Sequence, residues 1–520
     1  MSLASPLSRT TPKGRQPTDA DVTAVQQLLD GADLSRPLLI EHLHTLNDRF
    51  GHLSSGHIAA LAQAMGLAQI DVYETATFYA HFTVTDVSPA KTLRICDGPA
   101  CRMAGGETLR NALSDQMCVV PAPCQGACDA APSAMLGKQR IAPANPDGIL
   151  QAMKASPERP LDIPTVQDPG PQNLDQAIDV LTRAGLRGCG GAGFPTAKKW
   201  AFFKDAPDER VLVVNADEGE PGTFKDRYLL ENHLDWVLDG TLIAARALGV
   251  ADVFIYLRDE YSHLHDLLRR TLTTIDAPGL TLHLRRGAGA YICGEETALI
   301  ESLEGKRGLP RARPPYPAQS GYLGRPTITQ NVETLYWVAE IWRHGPEAYQ
   351  AEQRPRFYSV SGRVRQPGVY LAPSNALVRE LIEAADGMAD GHSLHAFLPG
   401  GASGGVFPAR MADLAMDFGV FEKFGGFVGS GALTVLSDAD DVWDVARNLS
   451  RFFMEESCGQ CTPCRVGTEK MLGLLNDPKA NADLIRELSA TMQDASICGL
   501  GQAAPNPVLC LLNYFEESAS

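Results

Sequence analysis

The sequence lacks an excess of positive charge. Its 62 acidic residues outnumber its 46 lysines and arginines, and the formal net charge at pH 7 is −16. Nucleic acids and anionic membrane surfaces attract proteins through basic patches. We therefore expect neither of them to be a main partner of this chain.

The sequence also lacks a long apolar run. No stretch of about 18 uncharged apolar residues is present, and residues 1–20 lack the apolar core of a secretory signal. We expect no membrane insertion, a cytoplasmic location and a short disordered tail over residues 1–18. With 520 residues, of which 44% are hydrophobic, the chain is long enough for several globular domains.

Cysteine, by contrast, is plentiful, and its distribution is informative. Eight of the 12 cysteines fall into two sets of four, one before residue 130 and one after residue 457. In a reducing compartment, such sets indicate metal ions or iron–sulfur clusters rather than disulfides.

The first cysteine set comprises Cys96, Cys101, Cys124 and Cys128, spaced as C-x4-C and C-x3-C. Each pair follows a predicted strand and is expected on a loop, so that two dithiolate pairs would face each other. Zinc sites more often use C-x2-C pairs, and the longer spacings favour a [2Fe–2S] cluster. A site with four reduced thiols and no cluster is the alternative.

The second cysteine set comprises Cys458, Cys461, Cys464 and Cys498. Its C-x2-C-x2-C segment, predicted as a loop, is suited to three corners of a [4Fe–4S] cluster, and the remote Cys498 would supply the fourth. Zinc would more often use two separated pairs.

The most glycine-rich segment is residues 185–200, GLRGCGGAGFPTAKKW. It formally satisfies G-x-G-x-x-G, but it follows a predicted helix, residues 174–186, instead of the strand that precedes a Rossmann loop. Its backbone N–H groups are still free to approach a phosphate, with lysines nearby. A glycine-rich surface turn is the alternative.

Three further segments carry candidate binding residues. They are residues 215–226 (NADEGEPGTFKD), residues 286–297 (RGAGAYICGEET) and residues 326–335 (PTITQNVETL). Carboxylates beside a phosphate loop are better suited to sugar hydroxyls or to a polar ring edge than to phosphate. Tyr291 is predicted to stack on a planar ring, whereas Glu295 could simply cap a helix. Asn331 and Thr334 would add a polar wall.

These segments, in this order, together with ESCGQCTPCRVG at residues 456–467, resemble the flavin-binding subunit of NADH:quinone oxidoreductase and its relatives. Residues 19–149 resemble the thioredoxin-like [2Fe–2S] subunit of the same complex. The fused arrangement is most similar to the beta (diaphorase) subunit of soluble, molybdenum-containing, NAD-dependent formate dehydrogenases. The flavin subunit of NAD-reducing hydrogenases is the close alternative.

The resemblance implies tightly bound FMN with NAD(H) stacked on its ring, and no amino-acid catalytic base, because hydride passes between the cofactors. The residues implied to line FMN are Gly188, Gly190, Lys199, Asn215, Asp217, Glu218, Tyr291, Gly294, Glu295 and Asn331. Those implied to approach the nicotinamide dinucleotide are Gly191, Phe194, Phe202, Glu220 and Glu296.

Apolar residues at helical spacing predict a small helical bundle at the start of the chain, and apolar runs predict strands at residues 211–214 and 252–257. Together with the resemblance, these patterns imply a multidomain chain of α/β and α+β class. The expected parts are a tail (1–18), a helical bundle (19–85), a thioredoxin-like [2Fe–2S]-type domain (86–150), a linker (151–172), an α/β FMN/NAD-binding domain (173–350), a ubiquitin-like β-grasp domain (351–438) and a helical [4Fe–4S] domain (439–520).

The implied function is electron passage between iron–sulfur clusters and NAD through FMN, as the diaphorase subunit of a formate dehydrogenase. The implied partners are a molybdenum and iron–sulfur alpha subunit and a small [2Fe–2S] gamma subunit. Alternatives are the corresponding subunit of a hydrogenase or of NADH:quinone oxidoreductase, an iron–sulfur scaffold without flavin, and a zinc-stabilised assembly protein.

Three departures from the family pattern bear on individual sites. Cys189 stands where arginine is usual, Gln330 stands where asparagine is usual, and the gap between Cys101 and Cys124 is shorter than typical.

Overall fold

The computed structural model describes residues 14–89, 91–152, 162–170, 172–207 and 209–515. Most of the predicted tail and residues 153–161 and 171 of the predicted linker lie outside this range. The chain divides into two compact units, which are described separately. The described residues up to 89 together with Glu301–Arg307 form the first unit, and the other described residues form the second. Among the described residues, no helix is both long and apolar enough to cross a membrane.

The first unit is helical, as the apolar periodicity predicts. Its helices are α1 (Asp19–Leu28), α2 (Leu39–Phe50), α3 (Ser55–Met65) and α4 (Gln69–Phe78). Thr18 and Ser54 cap α1 and α3 with reciprocal side-chain and backbone hydrogen bonds, which satisfy N–H groups that a helix start leaves free. Leucines of α2 and α3 are fully buried between the helices.

The second unit begins with a four-stranded sheet. The elements are β1 (Thr92–Cys96), α5 (Pro99–Met103), α6 (Gly106–Leu113), β2 (Cys118–Ala122), β3 (Ala134–Leu136), β4 (Gln139–Ile141) and α7 (Pro146–Ala152). The strand order is β2-β1-β3-β4, with β1 parallel to β2 and antiparallel to β3. Cys101 lies in the short helix α5 and not on the predicted loop. Pro99 can start this helix directly after β1.

A parallel four-stranded sheet forms the largest region. Its elements are α8 (Leu174–Ala184), α9 (Thr196–Ala201), β5 (Val211–Ala216), α10 (Lys225–Asn232), α11 (Leu234–Leu248), β6 (Asp252–Leu257), α12 (Ser262–Thr274), β7 (Thr281–Arg286), α13 (Glu296–Leu303), β8 (Thr327–Asn331), α14 (Val332–His344) and α15 (Pro346–Ala351). The order is β7-β6-β5-β8, with every neighbouring pair parallel.

Helix packing explains the apolar character of the central strand of this sheet. Val211–Val214 are all buried, because parallel sheets are covered by helices on both faces. A side-chain carbon at Gly240 would lie 1.8 Å from the carbonyl oxygen of Leu335, so glycine is required where α11 crosses α14. The glycine-rich segment follows α8 and runs into α9, which confirms that a helix and not a strand leads into it.

A mixed five-stranded sheet follows. It contains β9 (Arg356–Gly362), β10 (Gly368–Ala372), α16 (Val378–Ala384), β11 (Leu394–Ala402), β12 (Phe407–Pro408) and β13 (Ala432–Ser437), in the order β10-β9-β13-β11-β12. β9 and β13 are parallel, and the other neighbouring pairs are antiparallel.

Five helices complete the described chain: α17 (Val442–Glu455), α18 (Thr462–Leu474), α19 (Ala482–Ala495), α20 (Gly499–Ala503) and α21 (Asn506–Tyr514). The prediction that residues 456–467 form a loop is wrong in its second half, since α18 already begins at Thr462. Pro463 lies in its first turn, where the missing N–H costs no hydrogen bond. Cys464 is therefore helical.

Candidate functional site

A cavity of about 950 Å³ opens beside the glycine-rich segment, and a second cavity of about 520 Å³ adjoins it. Gly190, Asn215, Gly294, Glu295 and Asn331 line both cavities, so that the two form one continuous cleft. The cleft lies at the carboxyl ends of β5 and β8, where open α/β sheets bind their ligands.

The structure brings all the predicted cofactor-binding residues together in this cleft. The first cavity is lined by Gly188, Gly190, Phe194, Lys199, Phe202, Asn215, Gly294, Glu295, Glu296, Asn331 and Thr334. The second cavity is lined by Gly191, Asp217, Glu218, Glu220 and Tyr291 in addition to the shared residues. The roles of these residues toward individual cofactors remain predictions.

The glycine-rich segment lies close to the surrounding structure at two of its glycines. A side-chain carbon at Gly190 would lie 3.1 Å from Cβ of Asn331. At Gly193, where φ is +60°, it would lie 2.6 Å from the ring of Phe418. The Cys189 N–H donates to Oγ1 of Thr334 at 2.9 Å, which holds the loop against α14.

The wall of the first cavity contains buried polar atoms without a hydrogen-bond partner among the described residues. They are the hydroxyl oxygens of Thr196 and Thr329 and the side-chain nitrogen of Gln330. Buried polar groups are rarely left unsatisfied in native proteins. Hydroxyl and amide donors are suited to the phosphate and polyol chain of FMN, so the residues present fit that group.

Charged side chains at the rim of the first cavity are paired. Lys199 Nζ lies 2.9 Å from a carboxylate oxygen of Glu296, and Arg313 contacts both Glu295 and Glu296. Burial alone would raise the pKa of Glu296, but the Lys199 ammonium and Arg313 hold it below its usual range. Glu295 also accepts hydrogen bonds from the backbone of Thr297 and Ala298 at 2.9 Å, so the helix-capping interpretation of this residue holds.

Two residues that were predicted to contact the flavin form hydrogen bonds within the protein. The amide nitrogen of Asn215 donates to the Gly294 carbonyl at 2.9 Å. That of Asn331 donates to Asp226 at 2.6 Å, while its oxygen accepts from N–H groups at the start of α14. These hydrogen bonds fix the two strand ends, β5 and β8, that shape the cleft.

Glu220 and Tyr291 form a half-buried pair at the second cavity. The Tyr291 hydroxyl donates to Glu220, whose other carboxylate oxygen accepts from the backbone N–H of Ser403 at 2.8 Å. Burial raises the pKa of both groups, and the Glu220 carboxylate adds to the rise for Tyr291. The Tyr291 ring contacts Phe452 edge to face at 5.0 Å.

Two aromatic rings at the mouth of the first cavity are exposed. Phe194 is 45% exposed and Phe202 is 59% exposed, and their ring centroids lie 6.2 Å apart. Exposed aromatic rings that line a cleft are suited to stacking on a flat ligand such as a nucleotide base.

The first cysteine set is buried and converges. The sulfurs of Cys124 and Cys128 lie 3.4 Å apart, and the Cys96 thiol interacts with those of Cys101 and Cys124. Phe224 and Ala100 pack on this set. Four converging cysteine sulfurs in a dry site fit a [2Fe–2S] cluster. The short gap between Cys101 and Cys124 does not prevent this convergence.

The second cysteine set also converges. Burial is the main cause that raises the pKa of the Cys464 thiol to about 11 and that of Cys498 to about 12, and neighbouring thiols of the set add to both. A side-chain carbon at Gly501 would lie 2.8 Å from Cβ of Cys464, which shows how closely α20 approaches α18. Gly499, the residue after Cys498, lines both cavities. The arrangement fits a [4Fe–4S] cluster next to the cleft.

Neither set resembles a mononuclear metal site. Among the described residues, no group of three or more His, Cys, Asp or Glu side chains is arranged to hold a single metal ion. The ligands of a cluster bind different iron atoms and are spread more widely than those of one ion.

Several cavity-lining residues are absent from the sequence-based set. Arg313 and Tyr316 line the first cavity, and Ser403, Phe418 and Glu422 reach the second cavity from the region of β11 to β13. Residues 308–320 are rich in proline and arginine and show no periodic pattern. The two arginines of this segment, Arg311 and Arg313, are the one signal that the sequence offered.

Comparison with known families gives four matches along the chain. Residues 25–156 match the thioredoxin-like [2Fe–2S] ferredoxin family, and residues 181–340 match the Nuo51 FMN-binding domain. Residues 357–407 match the SLBB domain, and residues 444–520 match the NADH-ubiquinone oxidoreductase-F iron-sulfur binding region. The chain thus contains FMN-binding, [2Fe–2S] and [4Fe–4S] domains, which confirms the predicted cofactors and, at this level, the predicted α/β multidomain class. The β-grasp assignment and the exact domain boundaries stay predictions.

Individual relatives agree with these matches. The alpha subunit of the NAD-reducing hydrogenase HoxS of Cupriavidus necator is 32% identical, with 95% of this chain and 93% of that protein covered. An NADH-quinone oxidoreductase subunit of Aquifex aeolicus is 38% identical, with 68% of this chain and 89% of that protein covered. A crystal structure of NAD⁺-reducing [NiFe]-hydrogenase in the H2-reduced state matches with a TM-score of 0.82 and 33% identity, over 93% of both chains.

Proposed function

Because the chain belongs to the family of NADH-binding flavoprotein subunits found in NADH-quinone oxidoreductase and in the hydrogenase HoxS, we propose that it passes electrons between NAD(H) and its iron–sulfur clusters through FMN. Like these relatives, it would act as one subunit of a larger redox complex. A cytoplasmic location is part of this proposal.

One observation carries the proposal. The cleft that contains all sixteen predicted cofactor-binding residues is also lined by Gly499 and Leu500, directly after the cluster cysteine Cys498. A ring bound in the cleft would therefore lie near a one-electron carrier. When bound, FMN supplies the exchange between the two-electron chemistry of NADH and the one-electron chemistry of clusters.

The side chains of the cleft bind and orient. The glycine-rich segment, with the unpartnered donors of Thr196, Thr329 and Gln330, would hold the flavin phosphate and ribityl chain. The exposed rings of Phe194 and Phe202 would stack on the dinucleotide. The hydrogen-bonded pair of Glu220 and Tyr291 would fix the shape of the second cavity.

A glycine substitution tests the cleft assignment. Gly190→Val should place a side chain against Asn331 and reduce bound FMN to below about a tenth of the wild-type content, because a close backbone approach tolerates no added atoms. Gly473→Val is the matched control, since nothing lies within 4 Å of a side-chain carbon there. Flavin content is read from absorbance after denaturation. Equal flavin in both variants would contradict the assignment.

The partner subunits decide the electron donor. The hydrogenase subunit is similar over 95% of this chain, and the quinone oxidoreductase subunits are similar over about two thirds of it. These relatives favour the hydrogenase and quinone oxidoreductase alternatives over the predicted formate dehydrogenase. We therefore propose a complex with the subunit organisation of an NAD-reducing hydrogenase.

Metal analysis of the co-purified complex tests this choice. Nickel in the partner, with hydrogen-dependent NAD⁺ reduction, would support the proposal. Molybdenum with formate-dependent NAD⁺ reduction would overturn it in favour of a formate dehydrogenase. The flavin and cluster assignments of this chain would survive either result.

A further inference from the structure

The segment from Arg258 to Tyr261, directly after β6, lies between the first cysteine set and the flavin cleft. Arg258 is 4% exposed. One terminal nitrogen of its guanidinium donates to the carbonyl of Cys124 at 2.7 Å, and the other donates to the carbonyl of Glu218. Cys124 belongs to the cysteine set, and Glu218 lines the second cavity. A single side chain thus joins the two loops.

A second connection runs through the same segment. The Tyr261 hydroxyl donates to a carboxylate oxygen of Glu218 at 2.7 Å, and a side-chain carbon at Gly126 would lie 2.3 Å from that hydroxyl. The cysteine loop therefore rests directly on Tyr261. Arg227, whose backbone N–H also donates to Glu218, pairs with Asp129 at 2.7 Å. The two loops are held in one arrangement from several sides.

The positive charge of Arg258 interacts with negatively charged or polarised groups on all sides. The guanidinium of Arg258 makes a two-pronged ion pair with Glu260, at 2.8 and 3.1 Å. Its remaining donors are directed at the negative ends of two carbonyl dipoles. In a buried site these interactions are stronger than in water, because no solvent screens them.

We propose that Arg258 is a positioning residue that holds the N-terminal [2Fe–2S] centre against the flavin cleft and raises the reduction potential of that centre. This inference rests on the proposed function, since it requires a cluster on Cys96, Cys101, Cys124 and Cys128.

The physical basis is the charge that reduction adds. One-electron reduction makes the cluster more negative by one unit, and a nearby positive charge stabilises the reduced form. Hydrogen bonding and local charge are among the quantities that set cluster potentials. The planar guanidinium also satisfies both carbonyls at once, which a lysine ammonium cannot do in the same geometry.

Three variants of the full chain separate charge from geometry. Arg258→Met removes the positive charge and the link between the loops. Arg258→Lys keeps the charge but loses one of the two carbonyl contacts. The double variant Arg258→Met with Glu260→Gln removes the ion pair as a whole and changes the local net charge little. Arg325→Met is the matched control, because Arg325 likewise joins a carbonyl, that of Glu209, to a carboxylate, that of Asp252, but touches neither cysteine set nor the cleft.

The readout is a redox titration followed by electron paramagnetic resonance of the [2Fe–2S] signal. At the wild-type midpoint, where half of the centre is reduced, Arg258→Met should be less than about a tenth reduced, a shift of about 59 mV or more for a one-electron couple. Arg258→Lys should stay near the wild-type potential with altered g-values. The double variant should shift less than Arg258→Met, and Arg325→Met should not shift.

The outcomes distinguish this inference from the proposed function. A wild-type chain that binds iron but shows no [2Fe–2S] signal would overturn the cluster assignment and this inference with it. A normal wild-type signal whose potential and g-values are unchanged in all three Arg258 variants would overturn this inference alone. If Arg258→Met does not fold, the lysine variant still decides, because its g-values are predicted to differ from those of the wild type at a similar potential.

Discussion

The two cysteine sets share ligand type and number but differ in burial. Each cysteine of the first set is at most 5% exposed, whereas Cys458, Cys461 and Cys498 of the second set are partly exposed. The first set is covered by Phe224, which lies in the acidic segment of residues 215–226. The second set lies at the starts of two helices, α18 and α20.

This difference implies different tasks for two chemically similar centres. A buried cluster is tuned by fixed protein groups such as Arg258, and its environment is rigid. A partly exposed cluster is tuned partly by solvent and is accessible to a docking partner. We expect the C-terminal centre to carry electrons between the flavin and the rest of the complex, and the N-terminal centre to be shielded from outside reagents.

The largest expected effect is that of removing a ligand from the exposed set. Cys461→Ser should abolish the [4Fe–4S] signal and lower cluster-dependent acceptor reduction by about 100-fold, given that even changes around metal ligands cost ~10–100-fold. NADH oxidation by ferricyanide, which takes electrons at the flavin, should change little. Cys118→Ser is the control, since Cys118 is exposed and belongs to neither set. Equal losses in both assays would contradict the relay role.

Iron removal should separate the two sets in time. With an oxidant and a chelator, roughly four of about six irons per chain should leave first, together with the [4Fe–4S] signal, because its ligands are accessible. The [2Fe–2S] signal should persist until the protein unfolds. Simultaneous loss of both signals under native conditions would remove the distinction between a shielded and an exposed centre.

A change at the cleft mouth should affect both centres equally. Phe202→Ala should raise the Michaelis constant for NADH about tenfold, because stacking on an aromatic ring is worth about 1–3 kcal/mol. FMN should remain bound, and Glu220→Ala should show the same pattern. Stopped-flow reduction by NADH should slow for both cluster signals in parallel. Tyr73→Ala, another exposed aromatic residue, is the control. An unchanged Michaelis constant would contradict the stacking assignment.

The smallest expected effect is a pH dependence of folding stability that arises from the buried residue Glu218. Burial, assisted by the Asp226 carboxylate, raises the pKa of Glu218 to about 7, so the folded chain keeps a proton that the unfolded chain releases above about pH 4.5. The contribution of this group to the free energy of unfolding therefore falls as pH rises from about 4.5 to 7, and it is constant above about pH 7.

Glu218→Gln should therefore gain stability relative to wild type over that interval, by on the order of 1–3 kcal/mol in full. Thermal unfolding of FMN-loaded protein between pH 4.5 and 8 measures this gain. Glu469→Gln, an exposed position in α18, should show no such trend. A difference between wild type and Glu218→Gln that does not vary with pH would count against the buried carboxylic acid.

The cleft could be predicted from the sequence because its segments have distinctive local residue patterns. Five glycines in nine residues, C-x2-C-x2-C and an acidic loop after a buried strand can each be recognised without a fold. The sixteen predicted residues, most of which were implied by the family resemblance of these segments, all line the cleft. Apolar periodicity located the helices of the first unit, and short apolar runs located the strands β5 and β6.

What the sequence could not provide were the contacts between distant segments. Arg258 meets Cys124 across 134 positions, and Ser403 meets Glu220 across 183 positions. No local pattern marks such pairs. The burial of the first cysteine set likewise depends on Phe224, about 100 positions away, and so the difference between the two sets is a property of the fold.

The most direct test of this account is paramagnetic resonance of the purified full chain after reduction by NADH alone. We expect stoichiometric FMN, a [4Fe–4S] signal that appears with NADH, and a [2Fe–2S] signal. A chain that contains zinc without FMN, or clusters that dithionite reduces but NADH does not, would contradict it.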